Sequence, residues 1–145
     1  MKAPIKLTIP SEPKYLRLAR ETLKQYLACQ KVADELSCKL VLCVDEACSN
    51  VIKYSYEGSP GQPIELCFDF QDNQFVAKIR DYGKQCDSEK IKPRSLDEIR
   101  PGGLGTFFIF QIMDDVDYCT KREKGTLLTM SKILDLQCSP VSQNT

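Results

Sequence analysis

The sequence contains no histidine among its 145 residues. Ser-His and Cys-His catalytic pairs are therefore excluded, as is any histidine-ligated metal, and acid–base work is left to carboxylates, lysines, tyrosines or thiols. Net charge is absent too: 20 Lys+Arg balance 20 Asp+Glu. That removes the general electrostatic argument for nucleic acid or a membrane surface as a partner. No apolar run reaches the roughly 18 residues of a membrane-spanning helix, and no internal repeat is visible. The 8 cysteines include no C-x-x-C pair, which argues against zinc. The opening "MKAPIKLTIPSEPKY" has prolines where a secretory signal needs an apolar core, so a cytoplasmic location is expected. In that compartment most of the thiols are expected to be small buried core residues.

What is present fits one globular domain with a real core, at 42% hydrophobic and 28% charged residues. Residues 1–135 are read as the domain, and 136–145, rich in Ser, Pro, Asn and Thr, as a flexible tail. "IKLTIPSE" (5–12) alternates as a strand, with Ser11 placed to cap the next helix and Pro13 suited to its first turn. Leu16, Ala19, Leu23, Tyr26 and Leu27 mark an amphipathic helix to about Val32. Asp34-Glu35 interrupts, and Ser37 restarts a helix whose apolar set is Leu40, Val41, Val44, Ala47, Cys48, Val51 and Ile52. "IELCFDF" (64–70) and "QFVAKIR" (74–80) form a hairpin across Asp72-Asn73. A long polar stretch, 81–103, precedes a helix over 104–115 with Phe107, Phe108, Phe110, Ile112 and Met113 mostly buried. Strands over 116–122 and 126–134 come next, around a Glu123-Lys124-Gly125 turn. Strands and helices do not alternate, so the expected fold class is α+β: a two-layer sandwich with helices on one face of a mixed, mainly antiparallel sheet.

Three features of this layout carry chemistry when taken together. Glu46, Asn50 and Lys53 share the polar side of the second helix, a face that equally suits simple solvation. Asp81 ends a strand and Gly83 comes two residues later. Gly102, Gly103 and Gly105 lead into a helix, where backbone N–H groups and the helix dipole favour phosphate. An asparagine oxygen suits Mg²⁺, which takes few protein oxygens beside phosphate and water. A carboxylate one turn away can orient or deprotonate a hydroxyl, and a strand-end Asp can accept from an exocyclic amino group.

"VDEACSNVIKYSY" (44–56), "IRDYGKQCD" (79–87), "GGLGTFFIFQIMDDVDY" (102–118) and "KGTLLTMSK" (124–132) resemble the successive boxes of the GHKL (Bergerat-fold) ATP-binding superfamily, in order and over nearly the whole chain. Within it the chain is most similar to bacterial anti-sigma-factor serine kinases. The resemblance implies ATP and Mg²⁺ as cofactors, with Glu46 as catalytic base and Asn50 as metal ligand. It assigns Asp81 and Gly83 to adenine, Gly103, Leu104, Gly105 and Thr106 to the phosphates, and Thr126 to support of the adenine site. The glycines of 102–105 would hinge a lid over about 82–102, in or beside which Arg94 and Arg100 lie. Either arginine would meet the γ-phosphate or a partner, or simply be solvated.

The partners so implied are a sigma factor, a second copy of the chain and an anti-anti-sigma (STAS-type) protein whose serine is phosphorylated. Two departures stand out. Gln85 occupies the place of the second glycine in the family's D-x-G-x-G. Tyr54-Ser55-Tyr56 replaces its His-Ala/Gly-Tyr. An alternative reading is a nucleotide-binding regulatory module that binds a protein without significant phosphotransfer.

Overall fold

The computed structural model describes residues 3–85, 103–121 and 123–134. Its elements run β1 (Ile5–Pro10), α1 (Leu16–Cys29), α2 (Asp34–Asn50), β2 (Pro63–Gln71), β3 (Gln74–Arg80), α3 (Gly103–Ile112), β4 (Asp115–Cys119) and β5 (Leu127–Ile133). The five strands lie in the order β1-β2-β3-β5-β4, and each neighbouring pair is antiparallel. The two-layer α+β sandwich expected from the element order is thus found, with a sheet antiparallel at every described pairing. The tail beyond Leu134, Arg94, Arg100, Cys86 and Gly102 lie outside the described residues.

Alternation decides which sheet face is covered. Ile64, Leu66, Phe68 and Phe70 of β2 are buried, while the residues between them are more exposed, as period two requires of a sheet with helices on one side. The register sets Leu66 against Ile79 and Phe68 against Ala77 on that same face. Ala77 in turn opposes Met130, and Ile79 opposes Leu128. Phe75 stands 5.6 Å from Phe70 and 6.5 Å from Phe68, ring centre to ring centre, within the range of favourable aromatic pairing. Two-residue loops need positive φ, and Asp72 in the β2–β3 turn supplies it at 57°.

Several local expectations give way. Ser11 does not cap a helix: its Oγ donates to the Ser59 carbonyl at 2.7 Å and accepts from the Gln62 N–H at 2.9 Å. It ties the 57–62 turn to the end of β1 instead. Asp34 and Glu35 do not break a helix but form the first turn of α2, where their charge complements the dipole. α1 ends because Lys31 turns left-handed at φ 61°. Among the described side chains of α3 and the residue after it, Ile109 and Met113 are the buried ones. Phe107, Phe108 and Phe110 are only half-buried, since a one-turn spacing selects the 109/113 face. Of the cysteines described, only Cys43 and Cys48 are buried; Cys67 and Cys119 are half-buried, and Cys29 and Cys38 exposed. The strand cysteines point away from the helices, in register with exposed Lys78 and with Leu127. Burial pushes the thiols of Cys43 and Cys48 up to about 12, which keeps them protonated and inert near neutral pH.

The turn from β4 into β5 is set by Gly125, at φ 73°. A Cβ there would overlap the Asp81 carbonyl, whereas Gly58, also at positive φ, has open space around it. Gly58→Ala is expected to lose only the left-handed penalty, about 1–2 kcal/mol. Gly125→Ala should lose clearly more, because the close approach to Asp81 must also open. Urea unfolding of the two variants checks this, and equal losses would refute the packing argument.

Candidate functional site

The site begins where α2 stops being regular. After Asn50 the chain makes a π turn, Val51–Ser55, closed by a bond from the Tyr56 N–H to the Val51 carbonyl at 2.9 Å. The extra residue in this turn re-aims Ser55 and Tyr56, a distortion common at functional sites. Tyr56 is buried, donates to the Pro63 carbonyl at 2.6 Å and accepts from the Tyr82 N–H at 2.8 Å. Ser55 is carried to Asp81: its Oγ lies 3.4 Å from Asp81 Oδ2, and its carbonyl accepts the Lys84 N–H at 2.7 Å. A helix-end carbonyl that would otherwise lack a partner thereby receives one.

Asp81 is 2% exposed. Its N–H and carbonyl pair with the carbonyl and N–H of Thr126, at 3.0 and 3.3 Å, extending the β3–β5 ladder past Arg80. Its Oδ1 accepts the Gly83 N–H at 3.0 Å. Gly83 is glycine because a Cβ would strike the Ser55 carbonyl. Burial raises the Asp81 carboxyl from its ordinary value, and the Gly83 N–H, the Ser55 hydroxyl and the Arg80 charge partly pull it back.

Asn50, Asp81, Thr106 and Thr126 line one cavity with Ser55. They come from α2, the end of β3, α3 and the entry to β5. Asn50 Nδ2 donates to Thr106 Oγ1 at 3.3 Å, so the amide oxygen is the atom left for a cation. Ala47, Val51, Ile79 and Leu128 give the cavity an apolar wall, and Tyr54 and Tyr118 border it. An apolar slot with a few convergent polar groups is the usual make-up of a small-molecule site. Gly103, Leu104 and Gly105 form the first turn of α3, immediately before Thr106.

Glu46 sits one turn before Asn50, half-buried, and is not among the residues that line the cavity. The polar face expected of α2 is therefore split: Lys53 is exposed, while Glu46 and Asn50 are half-buried. Among the described residues no cluster of three Cys, Asp or Glu could hold a metal. A cation here would have to share its shell with a ligand's own oxygens, which suits Mg²⁺ carried on phosphate. Sequence reasoning misses Ser55 and Tyr118. Ser55 stands within the "VDEACSNVIKYSY" motif, but only the π turn brings it to the carboxylate. Tyr118 closes the "GGLGTFFIFQIMDDVDY" box, but only strand parity, opposite Leu128, places it at the cavity.

The sequence pattern of the histidine kinase-like ATPase domain matches residues 9–132. The serine-protein kinase RsbW of Oceanobacillus iheyensis is 28% identical over 138 residues, which cover 90% of this chain and 86% of that protein. The serine-protein kinase RsbW of Staphylococcus epidermidis is 29% identical over 139 residues, with the same coverage. Two solved structures share the fold. The RsbU and RsbW domains of Rv1364c from Mycobacterium tuberculosis superpose with a TM-score of 0.66 at 17% identity, over 91% of this chain and 32% of that one. The SiaB–SiaC complex from Pseudomonas aeruginosa gives 0.68 at 11% identity, over 90% and 88%. With its boxes in order and each contributing residues to one cavity, the chain belongs to the histidine kinase-like ATPase domain family.

Proposed function

We propose that this protein is an ATP-dependent serine/threonine protein kinase and anti-sigma factor of a bacterial partner-switching pathway. The observation that carries the reading is the single cavity onto which Asn50, Asp81, Thr106 and Thr126 converge from four separate parts of the chain. Asp81 accepts from the exocyclic amino group of adenine, with Thr126 and Gly83 holding its position. Ile79, Val51 and Leu128 cover the base. The N–H groups of Gly103, Leu104, Gly105 and Thr106 face the phosphates at the start of α3, where the dipole favours them. Asn50, its amide nitrogen engaged by Thr106, would hold Mg²⁺ through its amide oxygen. Mg²⁺ supplies charge neutralisation on the phosphates. Glu46 aligns the acceptor hydroxyl and takes its proton.

Family membership and relatives named serine-protein kinases support the phosphotransfer assignment. The acceptor is a serine of an anti-anti-sigma (STAS-type) protein, the kinase works as a homodimer that also holds a sigma factor, and the complex is cytoplasmic. Among the described residues no helix is long and apolar enough to cross a membrane. One observation favours a second reading, a nucleotide-binding module without significant transfer: Glu46 does not line the cavity. In the kinase reading Glu46 belongs on the acceptor's side of the site, outside the nucleotide's own cavity.

Calorimetric titration with ATP, with and without Mg²⁺, and transfer to a purified STAS-domain protein decide between the two. Glu46→Gln is expected to bind ATP like wild type while transfer falls at least about tenfold, the scale of losing a general base. Asn50→Ala should lose the Mg²⁺ dependence of binding. Unchanged transfer in Glu46→Gln would remove the base; no ATP binding by the wild type would remove the whole reading.

Asp81 makes a pH prediction. A carboxyl whose pKa is raised by folding binds more protons in the folded state, so stability declines as pH rises through the carboxylate range. Asp81→Asn is isosteric and uncharged, and it removes that penalty. Its melting temperature relative to wild type should therefore climb as pH rises from the ordinary carboxylate range toward neutrality, while ATP affinity collapses. A difference that does not change with pH would show that the buried carboxylate carries no such cost.

A further inference from the structure

The segment from Asp81 to Gln85 is tethered at every residue. Asp81 pairs with Thr126, Tyr82 donates its N–H to Tyr56, Gly83 donates to Asp81 itself, and Lys84 donates to Ser55. Gln85 adds a tether of a different kind. Its Nε2 donates to the Thr120 carbonyl at 2.9 Å and to the Gly125 carbonyl at 3.0 Å. A primary amide carries two N–H donors, and here they bridge the two sides of the β4–β5 turn. Arg80 Nη2 adds a third donor to that turn, reaching the Lys124 carbonyl at 2.9 Å. Gly125 is the residue whose backbone must press against the Asp81 carbonyl, and Thr126 is the backbone partner of Asp81.

We propose that Gln85 is a positioning residue for the nucleoside end of the cavity: its side-chain amide staples the loop after β3 to the β4–β5 turn and so holds Asp81 and Thr126 in their binding arrangement before any ligand arrives. The inference rests on the nucleotide reading of the cavity and adds a role for a residue that is not itself among the cavity's lining residues. A glycine at this position would supply no staple and would give the backbone more freedom to lose on binding. The staple lowers that ordering cost, which appears as affinity. Its effect falls on the base and ribose end and is indifferent to the phosphates. Neither Gln85 nor the carbonyls it holds take part in transfer, so turnover at saturating ATP does not depend on it.

The test uses the full chain as wild type, Gln85→Ala and Gln85→Glu. The second variant keeps the length of the side chain but sets a carboxylate against two carbonyl oxygens. ATP, ADP and adenosine are each titrated calorimetrically, and amide hydrogen exchange is followed without ligand. Gln85→Ala is expected to weaken all three ligands by one common factor, about three- to tenfold, as for one or two net hydrogen bonds. Gln85→Glu should weaken them at least as much. In both variants the amides of Asp81, Gly83 and Thr126 should exchange faster, while those pairing β1 with β2 keep their protection. Transfer at saturating ATP should stay at the wild-type rate. Unchanged affinities, or unchanged exchange at those amides, would overturn the proposal. So would a loss confined to ATP and ADP, which would put Gln85 on the phosphates. If the wild type binds none of the three ligands, the nucleotide reading fails with it, and the exchange rates alone then tell whether the staple exists.

Discussion

A carboxylate buried at the end of an inner strand is the constraint on which this site depends. Taking an ionised side chain out of water costs several kcal/mol unless dipoles or charges replace the lost hydration. At Asp81 the replacement comes mainly from dipoles: the Gly83 N–H on one oxygen and the Ser55 hydroxyl on the other. Each donor has a structural precondition. Gly83 must lack a Cβ to lie under the Ser55 carbonyl, and Ser55 must be delivered by a π turn where α2 would otherwise run on. Gly125 must lack a Cβ for the backbone of Thr126 to reach Asp81. Two glycines and one helix defect are therefore consequences of a single buried charge. The group so held is an acceptor without a tight ion-pair partner among the described residues, which suits a neutral amino group better than a cation.

Topology then brings the other groups to it. β5 lies between β3 and β4, so the chain leaving β3 must cross to β4 by way of α3 and return antiparallel beside β3. That return sets the start of β5 against the end of β3, which is why Thr126 meets Asp81. The crossing lays α3 on α2, which is why Thr106 meets Asn50 across 56 positions of sequence. Neither meeting needs a local signal. Both result from the order of elements and from the apolar faces that hold them, Ile109 on α3 with Met113 just after it, and Ala47 on α2 with Val51 in the π turn that follows.

The same division separates what is legible in the sequence from what is not. The periodicities of α1 and β2 are strong and match the buried residues, because period 3.6 and period 2 are set by the same burial that the structure displays; β3 departs from alternation by burying Val76 beside Phe75 and Ala77. Asn50, Asp81, Thr106 and Thr126 are marked by motif order and do share a cavity. Local chemistry with two outcomes is where sequence reasoning fails. Ser11 can cap a helix or bind across to a turn, and the distant Ser59 and Gln62 decide. Asp34-Glu35 can end a helix or begin one, and the left-handed Lys31 has already ended the first. The π turn is invisible because five residues are too few to separate its period from that of a helix. Gln85 looks like a lost glycine, since the carbonyls it binds lie 35 and 40 positions away.

The missing histidine constrains the chemistry as firmly as anything present. The chain belongs to a family named for histidine kinases, yet it has no imidazole to hold a phosphoryl group. The two buried cysteines of α2, Cys43 and Cys48, are thiols pushed up to about 12 and offer no nucleophile in its place. On the proposed reading, a phosphoryl group leaving ATP passes to a hydroxyl brought from outside the cavity, without a histidine or cysteine of this chain as a carrier. Catalysis of that kind is positioning and charge neutralisation more than covalent chemistry. It asks for a rigid nucleotide end and an open acceptor end. On the proposed reading, Asp81, tethered through backbone and side chain, serves the first requirement, and Glu46, standing outside the cavity lining, serves the second.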